Sequence, residues 1–205
     1  MGFAEKLIEE AAKYTTHIIS TIGYPGIFIL MAAESTMIPL PSELVMPFAG
    51  YLAHAGQFNL LFVMVVSALG TIFGSLISYY MGKYGGEPFL ENYGKYLLIN
   101  KKDLEWTHKW FHNHGDKTIF ISRFIPVVRH LISIPAGIAE MNIRKFTIFT
   151  FLGGLLWNSF LAYLGYLLGK NWHLVHQYTK PLSHVVLVLI ILGTGFFVYK
   201  HLYKK

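Results

Sequence analysis

Four ionisable residues stand in two apolar, proline-broken stretches. Glu34 and Glu43 bracket Glu34-Ser35-Thr36-Met37-Ile38-Pro39-Leu40-Pro41-Ser42-Glu43, and Arg123 and Arg129 lie within Ser122-Arg123-Phe124-Ile125-Pro126-Val127-Val128-Arg129-His130. An arginine stays charged and forks onto phosphate or carboxylate. A carboxyl group in apolar surroundings takes up a proton more readily than one in water. Pro39, Pro41 and Pro126 act as hairpin breakers that keep either stretch from being an uninterrupted helix. Charges in such company are expensive in a bilayer and point to function. The sequence therefore predicts one site, with Arg123 and Arg129 as phosphate ligands and Glu34 and Glu43 as proton-coupling or gating groups. A structural alternative stays open, in which the acids only neutralise the arginines and hold the two stretches together. Ser122, His130, Trp157 and Asn158 are secondary candidates for lining the same cavity.

The elements that position these residues belong in a membrane. Hydrophobic residues make up 54% of the 205-residue chain and charged residues 14%, too apolar a balance for an ordinary soluble domain. The net charge of +6 is scattered, which argues against a nucleic-acid partner and for membrane-flank excess. The absence of cysteine excludes disulfides, thiol nucleophiles and thiolate metal sites. Met1 to Lys13 has no basic region leading into a cleavable apolar segment, so no secretory signal is expected.

The expected fold class is an all-α integral membrane protein forming a single membrane domain over 1–205. Residues 3–17 read as an interfacial amphipathic helix. A first repeat, 18–83, joins two short apolar arms around the acidic stretch, followed by the uncharged run Leu60 to Gly82. Such a re-entrant hairpin is tolerated at membrane depth only where it is buried or lines a wet cavity. An amphipathic cytoplasmic linker, 84–117, carries Trp106, Trp110 and Phe111 among its charges. His108 and His112 are one helical turn apart there, yet no acidic group completes a metal site, and no metal or cofactor is expected. A second repeat, 118–170, places the arginine stretch in a second hairpin before the uncharged run Phe146 to Gly169. A C-terminal transmembrane helix is expected over 181–200.

The two repeats align without gaps at an offset of 87: Pro39 falls on Pro126, Gly50 on Gly137, Tyr79 on Tyr166 and Gly82 on Gly169. Each unit has a hairpin that does not cross and one helix that does, so the second enters from the opposite face. That is an inverted repeat, as in many transporters. The bias of Lys and Arg puts the linker, Arg144-Lys145 and the C-terminus in the cytoplasm and leaves the side of the N-terminus open.

Enzymatic chemistry has one weak foothold. Ser122-Arg123 with His130 resembles an element of membrane lipid phosphatases, but the histidine falls one place late and the companion Pro-Ser-Gly-His is missing, since Pro41-Ser42 leads into Glu43. The chain is expected not to be an enzyme.

At this point a resemblance is plain. Glu34-x4-Pro39-x-Pro41-Ser42-Glu43, Phe48-Ala49-Gly50, Gly82, Ser122-Arg123-Phe124-x-Pro126-x-x-Arg129, Pro135-Ala136-Gly137 and Gly153-x3-Trp157 together resemble the DedA family, which shares a domain with eukaryotic VTT-domain proteins. The resemblance spans roughly residues 20–170. It implies a multi-pass protein of the bacterial inner membrane that moves lipids between leaflets. Several members recycle undecaprenyl phosphate, others handle phosphatidylethanolamine, and proton-motive force is involved. The family's important acids and arginines match Glu34, Glu43, Arg123 and Arg129. The expected activity is transport of a lipid phosphate, most simply undecaprenyl phosphate, with protons as the coupling partner and homo-oligomers compatible with the pattern. Alternatives are a phosphatidylethanolamine or other phospholipid flippase or scramblase, a proton-coupled small-ion transporter, and an intramembrane lipid phosphatase.

Overall fold

A computed structural model describes residues 14–36, 42–97 and 101–171, and they are helical nearly throughout. The proposed breakers Pro39 and Pro41, most of the N-terminal amphipathic segment and the expected C-terminal span 181–200 lie outside the described residues. Helix α1 occupies described residues 14–22 and ends at Gly23, whose φ of 73° only glycine adopts easily. Pro25 then sits in the first turn of α2, Tyr24–Glu34, where its missing N–H has no helical partner to lose. Helix α3 covers Ser42–His54. Asn59 caps α4, Leu60–Leu97, by accepting from Leu61 N at 2.9 Å and Phe62 N at 3.2 Å.

After α5, Lys101–Ser122, the chain turns through short helices α6, Pro126–Leu131, and α7, Ser133–Ile138. Asn142 caps α8, Ile143–Leu167, which ends in a 3-10 turn over Leu168–Asn171.

Two of these helices are long and apolar enough to cross a membrane: Leu60–Gly86, and Ile143–Leu167. Their faces are inverted relative to a soluble helix. On α4 the exposed row is Phe62, Val65, Leu69, Phe73 and Ile77, while Ser67, Thr71, Ser75 and Ser78 are buried. On α8, Ile148, Leu152, Leu156 and Phe160 face out, and Thr150 and Asn158 face in. Bulky apolar side chains outside and small or polar ones inside are what lipid as solvent selects. The chain is an all-helical membrane protein.

Close backbone contacts bind the helices. A Cβ on Gly50 of α3 would stand 1.9 Å from the Ala162 carbonyl oxygen of α8, and one on Gly137 of α7 would stand 1.9 Å from the Tyr79 carbonyl oxygen of α4. Gly50→Leu and Gly137→Leu should therefore each lower stability by about 1–3 kcal/mol or more, since neither helix can yield its backbone. Thermal unfolding in detergent checks this, and unchanged midpoints would mean that the helices do not touch there.

The sequence reading ends the uncharged run at Gly82 and starts a linker at residue 84; in the structure α4 continues through this point to Leu97. Gly82 does not end it because it is a packing position, pressed against the Ile134 backbone, and an isolated glycine costs a packed helix only about 1 kcal/mol. The apolar residues from 118 to 122 form the end of the long helix α5. Phe111 and Ile119 tie that helix into a cluster with Tyr79, Ala136, Met141 and Phe146.

Candidate functional site

The breaks between helices bring the predicted residues together. Glu34 closes α2, and Ser42 and Glu43 open α3. A carboxylate at a helix C-terminus is electrostatically misplaced, but Glu34 Oε1 accepts the N–H of Ser42 at 3.1 Å. It thus caps the start of α3, where backbone amides favour an anion. Arg123 lies in the turn after α5. Its own N–H and those of Phe124 and Ile125 bond back to the carbonyls of Phe120, Ile121 and Ser122. Ile125 is extended, as the residue before Pro126 must be, and Pro126 opens α6 with Arg129 in its last turn.

The two arginines have different partners. Nη2 of Arg129 donates to Glu34 Oε1 and Ser42 Oγ, and lies 3.1 Å from Glu43 Oε1. Both acids therefore converge on a single guanidinium nitrogen. Arg123 is only 2% exposed, yet it has no carboxylate partner among the described residues. Its Nη1 donates to the Arg129 carbonyl at 2.8 Å, and Nη2 to Thr150 Oγ1 at 2.9 Å and Ser133 Oγ at 3.3 Å. Those partners are neutral, and the Phe146 ring 6.0 Å away adds only a weak attraction. Arg123 is a buried cation held in place but not neutralised.

Between these side chains lies a cavity with about 20 Å³ of room for water centres, enough for about one molecule. Glu34, Arg123, Arg129, His130, Trp157 and Asn158 line it. Several polar atoms there are buried without a partner among the described residues: Glu34 Oε2, the Nε of both arginines and Trp157 Nε1. His130 donates through Nδ1 to the Glu34 backbone carbonyl at 3.0 Å, which leaves Nε2 4.0 Å from Glu34 Oε1. Asn158 Nδ2 donates to Thr71 Oγ1 at 3.1 Å and so joins α8 to α4.

Of the residues singled out by sequence, Glu34, Arg123, Arg129, His130, Trp157 and Asn158 line this cavity, and Glu43 joins them outside its wall through Arg129 Nη2. Ser122 does not: its hydroxyl donates to the Ile119 carbonyl at 2.7 Å and it is absent from the cavity wall. Ser42, Thr71, Ser133 and Thr150 were missed as members of the site. Ser42 sits beside Glu43, and Thr71 lies 87 residues before Asn158, so those two carried a signal. Thr150 and Ser133 carried none, since a hydroxyl in an apolar helix usually bonds its own backbone.

The VTT domain family matches residues 40–167. Undecaprenyl phosphate transporter A of Bacillus subtilis (strain 168) is 38% identical over 190 residues, covering 91% of this chain and 92% of that protein. An alkaline phosphatase-like protein of Lactococcus lactis subsp. cremoris (strain MG1363) is 35% identical over 197 residues, 92% of each. Protein DedA of Escherichia coli (strain K12) is 29% identical over 192 residues, covering 91% of this chain and 81% of that one. No solved structure matches the chain. A domain match running from the acidic stretch through both membrane helices, with relatives similar over nearly their whole length, agrees with the inverted helix faces and the buried charges. The chain belongs to the VTT-domain family of membrane proteins, the DedA family.

Proposed function

We propose that this protein moves a lipid phosphate, undecaprenyl phosphate in the first instance, across the bacterial inner membrane without catalysing a reaction on it. The observation that carries this reading is Arg123, a buried guanidinium whose partners are all neutral. A cation so placed is an anion site in waiting, and a phosphate monoester offers the matching fork of oxygens. The substrate class named by the Bacillus subtilis relative has this headgroup. Arg129 joins in when the phosphate competes with Glu34 and Glu43 for its protons. A carboxylate so displaced in a nearly dry cavity takes up a proton, which couples proton entry to substrate entry. His130 and Asn158 complete the polar wall. The hydroxyl of Ser122 is spent on a backbone carbonyl outside the cavity, which counts against a serine–histidine phosphatase despite the Lactococcus relative's name.

The machine that moves the phosphate is, on this reading, an inverted repeat of two re-entrant hairpins, 18–83 and 118–170, joined by a cytoplasmic linker, with a cytoplasmic C-terminus. Contacts related by the offset of 87 support it. Gly50 packs on Ala162 and Tyr166, and its counterpart Gly137 packs on Tyr79. The Tyr79 hydroxyl donates to the Met141 carbonyl, and the counterpart pair, Tyr166 and His54, has ring centroids 5.3 Å apart. Ser42 touches its own counterpart Arg129, and Thr71 touches Asn158, as residues beside a two-fold axis must. Each hairpin thus grips the long helix of the other half, an arrangement suited to rocking about the α4–α8 crossing.

Proteoliposomes test the function. Purified protein should move undecaprenyl phosphate and leave neutral undecaprenol and free inorganic phosphate in place. Collapsing an imposed pH gradient should slow that movement several-fold, roughly the loss of one coupled proton. Passage of inorganic phosphate alone would favour a soluble-ion transporter, and release of phosphate from the lipid would favour an enzyme. Equal movement of phosphatidylethanolamine would make the protein a general phospholipid flippase.

A further inference from the structure

The cavity has room for about one water, so a lipid drawn in by its phosphate leaves its chain outside. One wall of the cavity is aromatic and continues to the surface. Trp157 lines the cavity, half-buried, with the Arg129 guanidinium 5.8 Å from its ring centroid. Phe124 stands edge-on to the indole with centroids 6.2 Å apart, and the ring of Phe160 lies tilted against it with centroids 6.0 Å apart. Both phenylalanines are exposed, at 38% and 54%, on the lipid-facing side of the bundle. Ile125 extends that apolar rim beside Phe124, and Leu156 and Leu164 extend it on α8. The indole N–H is buried without an acceptor among the described residues. A buried indole N–H usually finds a partner.

We propose that Phe124, Trp157 and Phe160 form a lateral chain subsite, through which the apolar chain of the bound lipid leaves the headgroup cavity for the bilayer. This inference rests on the lipid-phosphate reading above. The occupant is the lipid's own chain because the aromatic row is continuous with the cavity that takes the headgroup. An apolar chain gains no hydrophobic free energy by leaving lipid for a groove, so the row supplies flat, rigid faces and a fixed exit direction instead. At the neck, the free N–H of Trp157 meets the ester oxygen that joins phosphate to chain.

The test compares undecaprenyl phosphate with geranyl phosphate, whose chain is too short to follow the row outward. The double variant Phe124→Ala/Phe160→Ala should lose about tenfold in transport of undecaprenyl phosphate while geranyl phosphate stays within about twofold, as loss of two aromatic contacts predicts. Equal loss for both substrates, or for neither, overturns the subsite. A second measurement uses the unaltered chain and so does not depend on the variant folding. Undecaprenyl phosphate carrying a diazirine in its third isoprene unit, the first that geranyl phosphate lacks, should label peptides containing Phe124 or Phe160. Labelling confined to other helices overturns the proposal. Neutral undecaprenol with the same diazirine separates the two claims. If it labels these peptides equally well, the chain subsite stands and the phosphate reading falls.

Discussion

Arg123→Met should reduce undecaprenyl phosphate transport by about a hundredfold or more while leaving thermal stability unchanged or improved. The two halves of this expectation have one cause. Arg123 is buried with three neutral acceptors and no carboxylate among the described residues, so its desolvation cost goes uncompensated there. Methionine keeps the apolar stem that packs against Gly153 and removes the charge. The Thr150 hydroxyl, the Ser133 hydroxyl and the Arg129 carbonyl each lose a donor, which offsets part of the gain at about 1 kcal/mol per bond. Transport has no such offset, because the only unneutralised cation among the described cavity residues is gone. Arg123→Lys should fall between, roughly tenfold below the native chain, since a point charge replaces a planar fork. Flux assays on reconstituted variants, paired with melting curves, check both readouts. A methionine variant that is unstable and still active would assign Arg123 to structure alone.

The four charges were legible in the sequence because lipid-facing chain has little room for ionisable groups, so each one that survives stands out. The offset of 87 that the proposed repeat rests on was read for a related reason: proline and glycine constrain the backbone wherever they fall, so their spacing can be compared between the two halves even where other side chains differ. The division of labour between the arginines was not legible. Arg123 and Arg129 are six residues apart in one stretch, and only the turn at residues 123–125 sends one toward the acids and the other toward Thr150. Thr150 and Ser133 were invisible for the same reason, because their role depends on what crosses them in space. The extension of α4 past Gly82 was not legible because the uncharged run ends there, while in the fold Gly82 is a seat for α7 and the helix runs on into charged residues.

Glu34→Gln tests the other half of the site, and here stability and transport should fall together. Glu34 is fully enclosed, accepts from Arg129 and caps α3 through the Ser42 N–H. Removing its charge leaves Arg129 with Glu43 alone, whose side chain is 19% exposed and correspondingly screened. Breaking a buried pair from one side costs about 3–5 kcal/mol, because the remaining charge stays buried. Glutamine retains an acceptor for Ser42, so the loss should fall at the low end of that range. Transport should drop about a hundredfold, since on the proposed mechanism Glu34 is the group that exchanges Arg129 for a proton. The two effects separate in the double variant Glu34→Gln/Arg129→Gln. With both charges absent only the partly exposed Glu43 is left without its cation, and a large part of the lost stability should return. Transport should not return, because neither the proposed second phosphate ligand nor the proposed proton acceptor is present. Recovery of transport with stability would reduce the pair to a clamp between α2 and α6. Recovery of stability alone assigns Glu34 and Arg129 to the moving parts: a pair whose worth to the folded chain is near zero, retained because a phosphate can part it.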